Sequence, residues 1–183
     1  MIGPIKQIRR NLYGFLLKRK LAKVKTQREV INLEDANFIG MLYNAFDPEN
    51  TIIVGRLADN LRREGKKVSL LGFVNGQNKD FGDEKEFFNK KEVNWMQVPT
   101  STKVNKFIKT DFDILINAWI GEELSLEYIA ALSNAKYRVG QYRPEVTYCN
   151  EMMIQIPEKK ELQYLIDQIS HYLNVFTPHV EKV

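Results

Sequence analysis

"FDILINAWIGEELSLEYIAALSNAKYRVG" (residues 112–140) reads as a strand, a helix and a second strand. The run "DILINAWI" is apolar and of strand length, "SLEYIAALSNA" has helical length and spacing, and "YRVGQY" is again of strand type. A strand, a crossover helix and a second strand in this order build a parallel pair with a right-handed connection. The stretch therefore predicts an α/β fold.

The same alternation extends along most of the 183 residues. "FIGMLYNAF" (38–46) and "KKVSLLGFV" (66–74) suit strands buried on both faces, with a helical pattern between them. "VNWMQVP" (93–99) is predicted as a third strand, after an irregular surface segment at 75–92, and "EMMIQI" (151–156) as a sixth. The short loop before the sixth strand leaves an antiparallel pairing at an edge open. The pattern predicts a Rossmann-like three-layer sandwich with a mostly parallel sheet of five or six strands.

The net charge of +4 conceals a strong asymmetry. Residues 1–28 contain nine basic residues and no acid, whereas residues 29–183 hold the other 18 basic residues against 23 acidic ones. A basic segment on a mildly acidic body is typical of proteins that contact nucleic acid or anionic membranes. The nine cations predicted to make such a contact are Lys6, Arg9, Arg10, Lys18, Arg19, Lys20, Lys23, Lys25 and Arg28.

We divide the chain into a basic helical arm, 1–28, and a single Rossmann-like domain, 29–183. Apolar residues at 4–25 follow helical spacing but fall on more than one face, which predicts two short helices or one bent helix, with Gly14 as a hinge or break. After the first strand, "DPEN" (47–50) is turn chemistry and offers Asn50 as the cap of the next helix.

Two resemblances arise from these segments. The basic arm with "VINLEDANFIGMLYNA", "FNKKEVNWMQVP", "DFDILINAWI" and "YIAALSNAKYRVG" resembles a family of small bacterial proteins to which no activity is assigned. The stretch "FDILINAW…IAALSNAKYRVG" is similar to a segment of the N-terminal domain of heptosyltransferase-type glycosyltransferases. The second resemblance implies a Rossmann-like sheet. It does not imply glycosyl transfer, because the donor nucleotide of those enzymes lies mainly in a second domain.

Signatures of known catalytic chemistry are absent from the sequence. Neither the dinucleotide fingerprint G-x-G-x-x-G nor the phosphate loop G-x-x-x-x-G-K-[ST] occurs. No spacing of metal ligands is present, and Cys149, His171 and His179 are interpreted as structural or solvated residues. We therefore predict no cofactor and no metal, and the sequence favours a protein that is not an enzyme, with a divergent active site left open.

A crevice above the sheet is the place where open α/β folds bind ligands, at the carboxyl ends of the strands. This rule nominates the polar and aromatic residues that follow the predicted strands one, three and four. They are Asn44, Asp47, Thr100, Ser101, Asn117, Trp119 and Glu122. For most of them a cap or core role is the simpler interpretation, and core packing is favoured for Trp119.

Four hypotheses remain for the function. The leading one is an interaction protein whose arm docks on RNA, most plausibly on the ribosome, because cations without acids neutralise phosphates. One alternative is peripheral binding to an anionic membrane surface, since "LYGFLLKRKLAKVK" (12–25) mixes aromatic residues, leucine and lysine. A second is a protein partner for the arm. A third is a small ligand-binding or glycosyltransferase-like domain that uses the crevice. A single cysteine and the lack of a long apolar run or secretory signal predict a cytoplasmic protein.

Overall fold

The chain forms an α/β fold of six strands and five α-helices over the residues described. A computed structural model describes residues 4–74 and 85–175, with side chains from 7–74 and 87–175. The strands are β1 (Phe38–Asn44), β2 (Lys67–Val74), β3 (Lys85–Asn89), β4 (Ile114–Ala118), β5 (Tyr137–Gln141) and β6 (Met152–Ile154). The helices are α1 (Pro4–Leu21), α2 (Pro48–Arg63), α3 (Thr102–Lys109), α4 (Leu124–Leu132) and α5 (Leu162–Val175).

All six strands lie in one parallel sheet of order β3-β2-β1-β4-β5-β6. This order is that of a doubly wound sheet, in which the chain reverses its direction of travel between β1 and β4. The prediction of a Rossmann-like three-layer sandwich with a mostly parallel sheet is confirmed. The alternative of an antiparallel β6 is wrong, because a 3₁₀ segment at Pro144–Cys149 turns the chain back before β6 begins.

Each face of the sheet is covered by its own apolar core. Ile39 and Met41 of β1 face a core that also contains the buried residues of α2 and α5. Leu42 faces a second core, which contains Phe112 and the apolar residues of α3, α4 and α1. Alternate residues of one strand thus enter opposite cores, which explains why the buried strands are continuous apolar runs.

Helix α1 is one continuous helix that packs against the second core. Gly14 lies within it and does not break it. Tyr13 and Leu17 are buried, and the Tyr13 hydroxyl donates a hydrogen bond to the Leu124 carbonyl at 2.8 Å. The alternative of two short helices is therefore wrong, and the arm is attached to the body by its inner face.

The third strand is not where the sequence placed it. β3 lies within the supposed surface segment, because Phe87 enters one core and Phe88 the other. The predicted strand at 93–99 is instead a turn, in which the Asn94 side chain accepts hydrogen bonds from the N–H groups of Met96 and Val98. Side-chain bonds of this kind compete with a strand ladder.

The N-cap of α2 lies three residues before Asn50, the cap that the sequence predicted. Asp47 is the N-cap, and its carboxylate accepts a hydrogen bond from the Glu49 N–H at 2.9 Å. Pro48 takes the first helical position, which its fixed φ favours. Asn50 lies inside the helix and donates from its side chain to the Asn44 carbonyl at 3.1 Å.

Asp113 joins three segments at the amino edge of the sheet, and its substitution gives a pH-dependent prediction. Its carboxylate accepts from the N–H groups of Asn37 and Phe38 and pairs with Lys136 at 3.1 Å. Burial raises the pKa of Asp113, but these hydrogen bonds and Lys136 outweigh burial and lower it. A carboxyl with a lowered folded-state pKa stabilises the fold above its unfolded-state pKa, and that stability is lost as the pH falls through the folded-state value.

We expect Asp113→Asn to lose about 1 kcal/mol of unfolding free energy at pH 7, the size of one partly exposed hydrogen bond. The difference from the parent chain should shrink as the pH approaches the folded-state pKa of Asp113. Urea unfolding at several pH values measures it, with Asp111→Asn as the neighbouring exposed control. An equal deficit at every pH would contradict the assigned role of the charge.

Candidate functional site

A pocket lies at the carboxyl edge of the sheet, at the switch point between β1 and β4. It has a volume of about 450 Å³, within the usual range of small-molecule sites. Three of the residues nominated from the sequence, Asn44, Asp47 and Trp119, line it together. The residues that complete its polar wall are Glu49, Asn50, Lys160 and Glu161. We call this cavity the switch-point pocket.

The loop from β1 to α2 satisfies its own backbone groups. The Asn44 side-chain carbonyl accepts from the Phe46 N–H at 2.9 Å, and the Asp47 carboxylate accepts from the Glu49 N–H. Pro48 has no N–H to offer. The N-terminus of α2 is therefore capped by a carboxylate and does not form the phosphate cradle that dinucleotide-binding folds place here.

The other nominated crevice residues lie outside the wall of this pocket. Asn117 is buried and donates to the Asn150 side chain at 2.7 Å, beside Gly140, where an added Cβ would come within 2.9 Å of the Asn117 Cβ. Thr100 bonds to the Glu92 carbonyl, and Ser101 caps α3. Glu122 pairs with Arg10 of α1 at 3.4 Å. These four residues hold local structure together.

The loop from β4 to α4 is clamped by residues that the sequence did not nominate. The Gly121 N–H donates to the Gln141 side chain at 2.8 Å, and Arg143 donates to the Gly121 carbonyl at 3.0 Å. Arg143 also forms an ion pair with Glu127, which is buried inside α4. In the sequence only Glu127, the single acidic residue of the apolar helix "LSLEYIAAL", indicates a buried ion pair here. The clamp holds the loop that carries Trp119.

The nine cations of the arm divide into two groups. Arg10, Lys20 and Arg28 contact the body: Lys20 donates to the Tyr128 hydroxyl at 2.5 Å, and Arg28 donates to the Ser133 carbonyl at 2.9 Å and to that of Ala135. Burial and the nearby Arg138 lower the pKa of Arg28 to about 10. Arg9 is half-buried, and the side chain of Lys6 lies outside the described side chains. The remaining cations are exposed and have no acidic partner among the described residues: Lys18, Arg19, Lys23 and Lys25.

The outer face of α1 carries large apolar side chains. Ile8, Leu12 and Phe15 follow helical spacing along the face opposite Tyr13, and 57% of Ile8 and 66% of Phe15 are exposed. Helix α1 therefore has an apolar inner face, which is buried, and an apolar outer face, which is open to solvent. This double character explains why the sequence did not predict a clean amphipathic helix. We call Ile8, Leu12 and Phe15 the outer stripe.

A comparison with protein-family models matches residues 9–176, nearly the whole chain. The chain belongs to DUF6913, a family of unknown function. No curated protein matches it significantly in sequence. Membership in DUF6913 assigns no activity, so the function of this chain has to be argued from its own geometry.

Cys149 and the two histidines are the residues of this DUF6913 chain that would suggest nucleophilic chemistry. Burial, with the nearby Glu127, raises the pKa of the Cys149 thiol to about 12, so that it is not the thiolate that a nucleophile requires. His171 is exposed on α5, and His179 lies outside the described residues. No group of three or more His, Cys, Asp or Glu side chains within 4–74 and 85–175 is placed to hold a metal. None of the described helices is long and apolar enough to cross a membrane.

Proposed function

We propose that this protein binds peripherally to an anionic phospholipid surface through the outer stripe of α1. The single observation that carries the proposal is the exposure of Ile8, Leu12 and Phe15 on a helix that also presents unpaired cations. Interfacial helices combine an apolar face that enters the acyl boundary with lysine and arginine that meet the headgroups. The charge of the arm alone favours RNA, whereas the exposed apolar residues favour a membrane surface.

The attachment of α1 to the body fixes which face is available. Tyr13 and Leu17 are buried against the second core, so the helix cannot turn its outer stripe inward without exposing them. The Arg10–Glu122 pair and the hydrogen bond from Tyr13 to Leu124 hold the helix at its N-terminal half. A helix held in this way presents the outer stripe as a preformed surface.

The expected energies are sufficient for reversible binding. Transfer of the Phe15 side chain from water to the interface contributes roughly 1–2 kcal/mol, in proportion to the exposed area it removes from water. Each exposed cation contributes about 1 kcal/mol near an anionic leaflet. Lys18, Arg19, Lys23 and Lys25 thus add a term that falls with salt, whereas the term from the outer stripe does not.

RNA is the competing partner, and the outer stripe argues against it. Binding to phosphates uses cations, and stacking uses aromatic rings, but neither has a use for exposed Ile8 and Leu12. Three of the nine arm cations are also engaged with the body. A smaller free charge beside an apolar stripe fits lipid better than it fits a phosphate backbone.

The test is sedimentation with vesicles of phosphatidylcholine alone or mixed with phosphatidylglycerol. We expect binding to the mixed vesicles only, and about tenfold weaker binding for Phe15→Ser, the factor that 1.4 kcal/mol produces. Ile52→Ser is the matched control, since Ile52 is 59% exposed on α2, away from the arm. The Lys18→Gln/Arg19→Gln variant should bind more weakly and respond less to salt.

Two results would overturn the proposal. One is equal binding of the parent chain and Phe15→Ser to the mixed vesicles. The other is salt-sensitive binding to ribosomal RNA that Lys18→Gln/Arg19→Gln loses and Phe15→Ser keeps, which would restore the RNA hypothesis. Thermal melting of each variant confirms that it is folded.

A further inference from the structure

We propose that a cavity beside the N-terminal half of α1 binds a phosphate group, which Arg9, Lys90 and Gln97 hold by hydrogen bonds and charge. These three residues line the cavity together, and we call it the Arg9 cavity. Its volume of about 310 Å³ is at the lower end of the range of small-molecule sites. It shares Phe46 with the wall of the switch-point pocket and is otherwise formed by different residues.

Arg9 supplies a buried donor without a partner. Its Nε–H is enclosed by the protein and donates to no acceptor, and its guanidinium forms no ion pair within 4–74 and 85–175. Buried polar atoms almost always have a hydrogen-bond partner, and a buried charged donor without one is costly. Arg10, the next residue of the same helix, has such a partner in Glu122 at 3.4 Å. The unpaired Nε–H of Arg9 therefore points to a ligand that brings an acceptor atom.

Lys90 adds a second positive charge to the wall. Its ammonium group forms no ion pair with the described residues and lies 5.5 Å from the centre of the Phe46 ring, which lines the same cavity. A cation–π contact at an exposed site is weaker than a charge-assisted hydrogen bond, and it leaves the positive charge uncompensated. A phosphate oxygen offers this ammonium group the stronger interaction.

Gln97 is held at the cavity in an unusual backbone conformation. Its φ of 66° lies in the left-handed region, which costs energy for a residue other than glycine. The Ser125 hydroxyl donates to the Gln97 carbonyl at 3.2 Å, and the Asn94 side chain accepts from the N–H groups of Met96 and Val98 on either side. The Gln97 side chain itself makes no hydrogen bond to the described part of the chain, so its NH₂ group is free to donate to a ligand.

Two carboxylates also line the cavity, but they do not outweigh its cations. Glu122 is paired with Arg10, and burial is the largest influence on Glu123, whose pKa it raises. A carboxyl with a raised pKa gives up its charge more readily when an anion binds nearby. With Arg10 counted, the cations outnumber the carboxylates by three to two. A guanidinium, an ammonium group and a carboxamide together suit the several oxygens of a phosphate better than the two oxygens of a carboxylate.

A phosphate group has two possible sources here. Arg9 follows Ile8 of the outer stripe on α1, so the headgroup of an anionic phospholipid lies close to the cavity when the outer stripe meets a membrane. This source rests on the proposed function. A soluble phosphate compound reaches the same cavity without any membrane, and the experiment is designed to separate the two sources.

Calorimetric titration of the full chain uses four soluble probes: glycerol 3-phosphate, dihexanoyl-phosphatidylglycerol below its micelle concentration, glycerol and acetate. We expect saturable binding of at least one of the two phosphates, and at least tenfold weaker binding of glycerol and acetate. The Arg9 Nε–H signal, identified by its loss in Arg9→Lys, should move in nitrogen–proton NMR spectra as that phosphate binds. Tighter binding of the lipid assigns the site to a headgroup, and tighter binding of glycerol 3-phosphate assigns it to a soluble phosphate.

Substitutions identify the groups that hold the phosphate. Arg9→Gln should weaken binding about tenfold, the effect of losing one charge-assisted hydrogen bond, and Lys90→Gln should weaken it by a smaller factor. Glu123→Gln should strengthen binding, because it removes a competing negative charge. The matched controls are Arg56→Gln on α2 and Lys106→Gln on α3, which are exposed, lie outside the cavity wall and should leave binding unchanged. Thermal melting confirms that each variant is folded.

The proposal is overturned if neither phosphate binds, if glycerol or acetate binds as tightly as the phosphate, or if Arg9→Gln binds like Arg56→Gln. Its failure is distinct from failure of the membrane proposal. A parent chain that binds the mixed vesicles but neither soluble phosphate contradicts the cavity proposal alone. A parent chain that binds glycerol 3-phosphate but no vesicle contradicts the membrane proposal alone.

Discussion

A chain that lacks residues 1–28 is expected to unfold far more easily than the full chain, because the arm is part of the second core. Burial of Tyr13 and Leu17 contributes roughly 1.5–3 kcal/mol each by the area they remove from water. Arg28 adds hydrogen bonds to the carbonyls of Ser133 and Ala135, which follow the C-terminus of α4. The expected loss is on the order of 5 kcal/mol, comparable with the whole stability of a small domain.

Urea unfolding of the full chain and of residues 29–183 measures this difference. Two point variants separate the faces of α1: Leu17→Ala, on the inner face, should lose 2–5 kcal/mol as other buried leucines do, whereas Leu12→Ala, on the outer stripe, should lose less than about 1 kcal/mol. A truncated chain as stable as the parent would contradict the packing of the arm. The division into an arm and a separate domain, 1–28 and 29–183, stays a prediction that the same measurement tests.

The sequence was sufficient for the strands that are buried on both faces. β1, β2 and β4 carry the apolar runs that are typical of strands buried on both faces. The sequence did not predict β3, because an edge strand needs few apolar residues. In β3 only Phe87 and Phe88 are apolar, and each packs in a different core. The sequence also did not predict which face of α1 is buried, since the outer stripe is as apolar as the inner face and the helix has no single apolar face.

The pocket could be predicted only in part. The rule that ligands bind at the carboxyl ends of parallel strands found Asn44, Asp47 and Trp119. The rule could not find Lys160 or Glu161, because these residues precede α5 and are more than 100 positions from Asn44 and Asp47 in the sequence. Local sequence spacing does not indicate a contact between segments that are so far apart. The same rule nominated Asn117, whose side chain is directed toward Asn150 and the strand beside it.

Arg138→Met is expected to cost about 3 kcal/mol, because it removes a buried guanidinium that holds a partly exposed carboxylate and two helix carbonyls. Arg138 lies in β5 and its side chain is 7% exposed. Its guanidinium donates to both oxygens of Glu151, at 3.0 and 2.7 Å, and to the carbonyls of Ala130 and Ala131 at the end of α4. The substitution leaves Glu151 without its main partner and removes the side-chain donor from two helix carbonyls, of which only that of Ala130 keeps another donor among the described residues, the Ser133 N–H.

Three further variants show whether geometry or charge carries this stability. Arg138→Lys keeps the charge but cannot form the planar fork, so we expect it to recover less than half of the loss. Arg138→Met/Glu151→Met removes both charges and should be more stable than Arg138→Met alone. Arg63→Met, on the exposed side of α2, is the control and should stay within about 0.5 kcal/mol of the parent. Arg138→Met with the stability of Arg63→Met would mean that solvent replaces the arginine at no cost, and it would contradict the role assigned to Arg138.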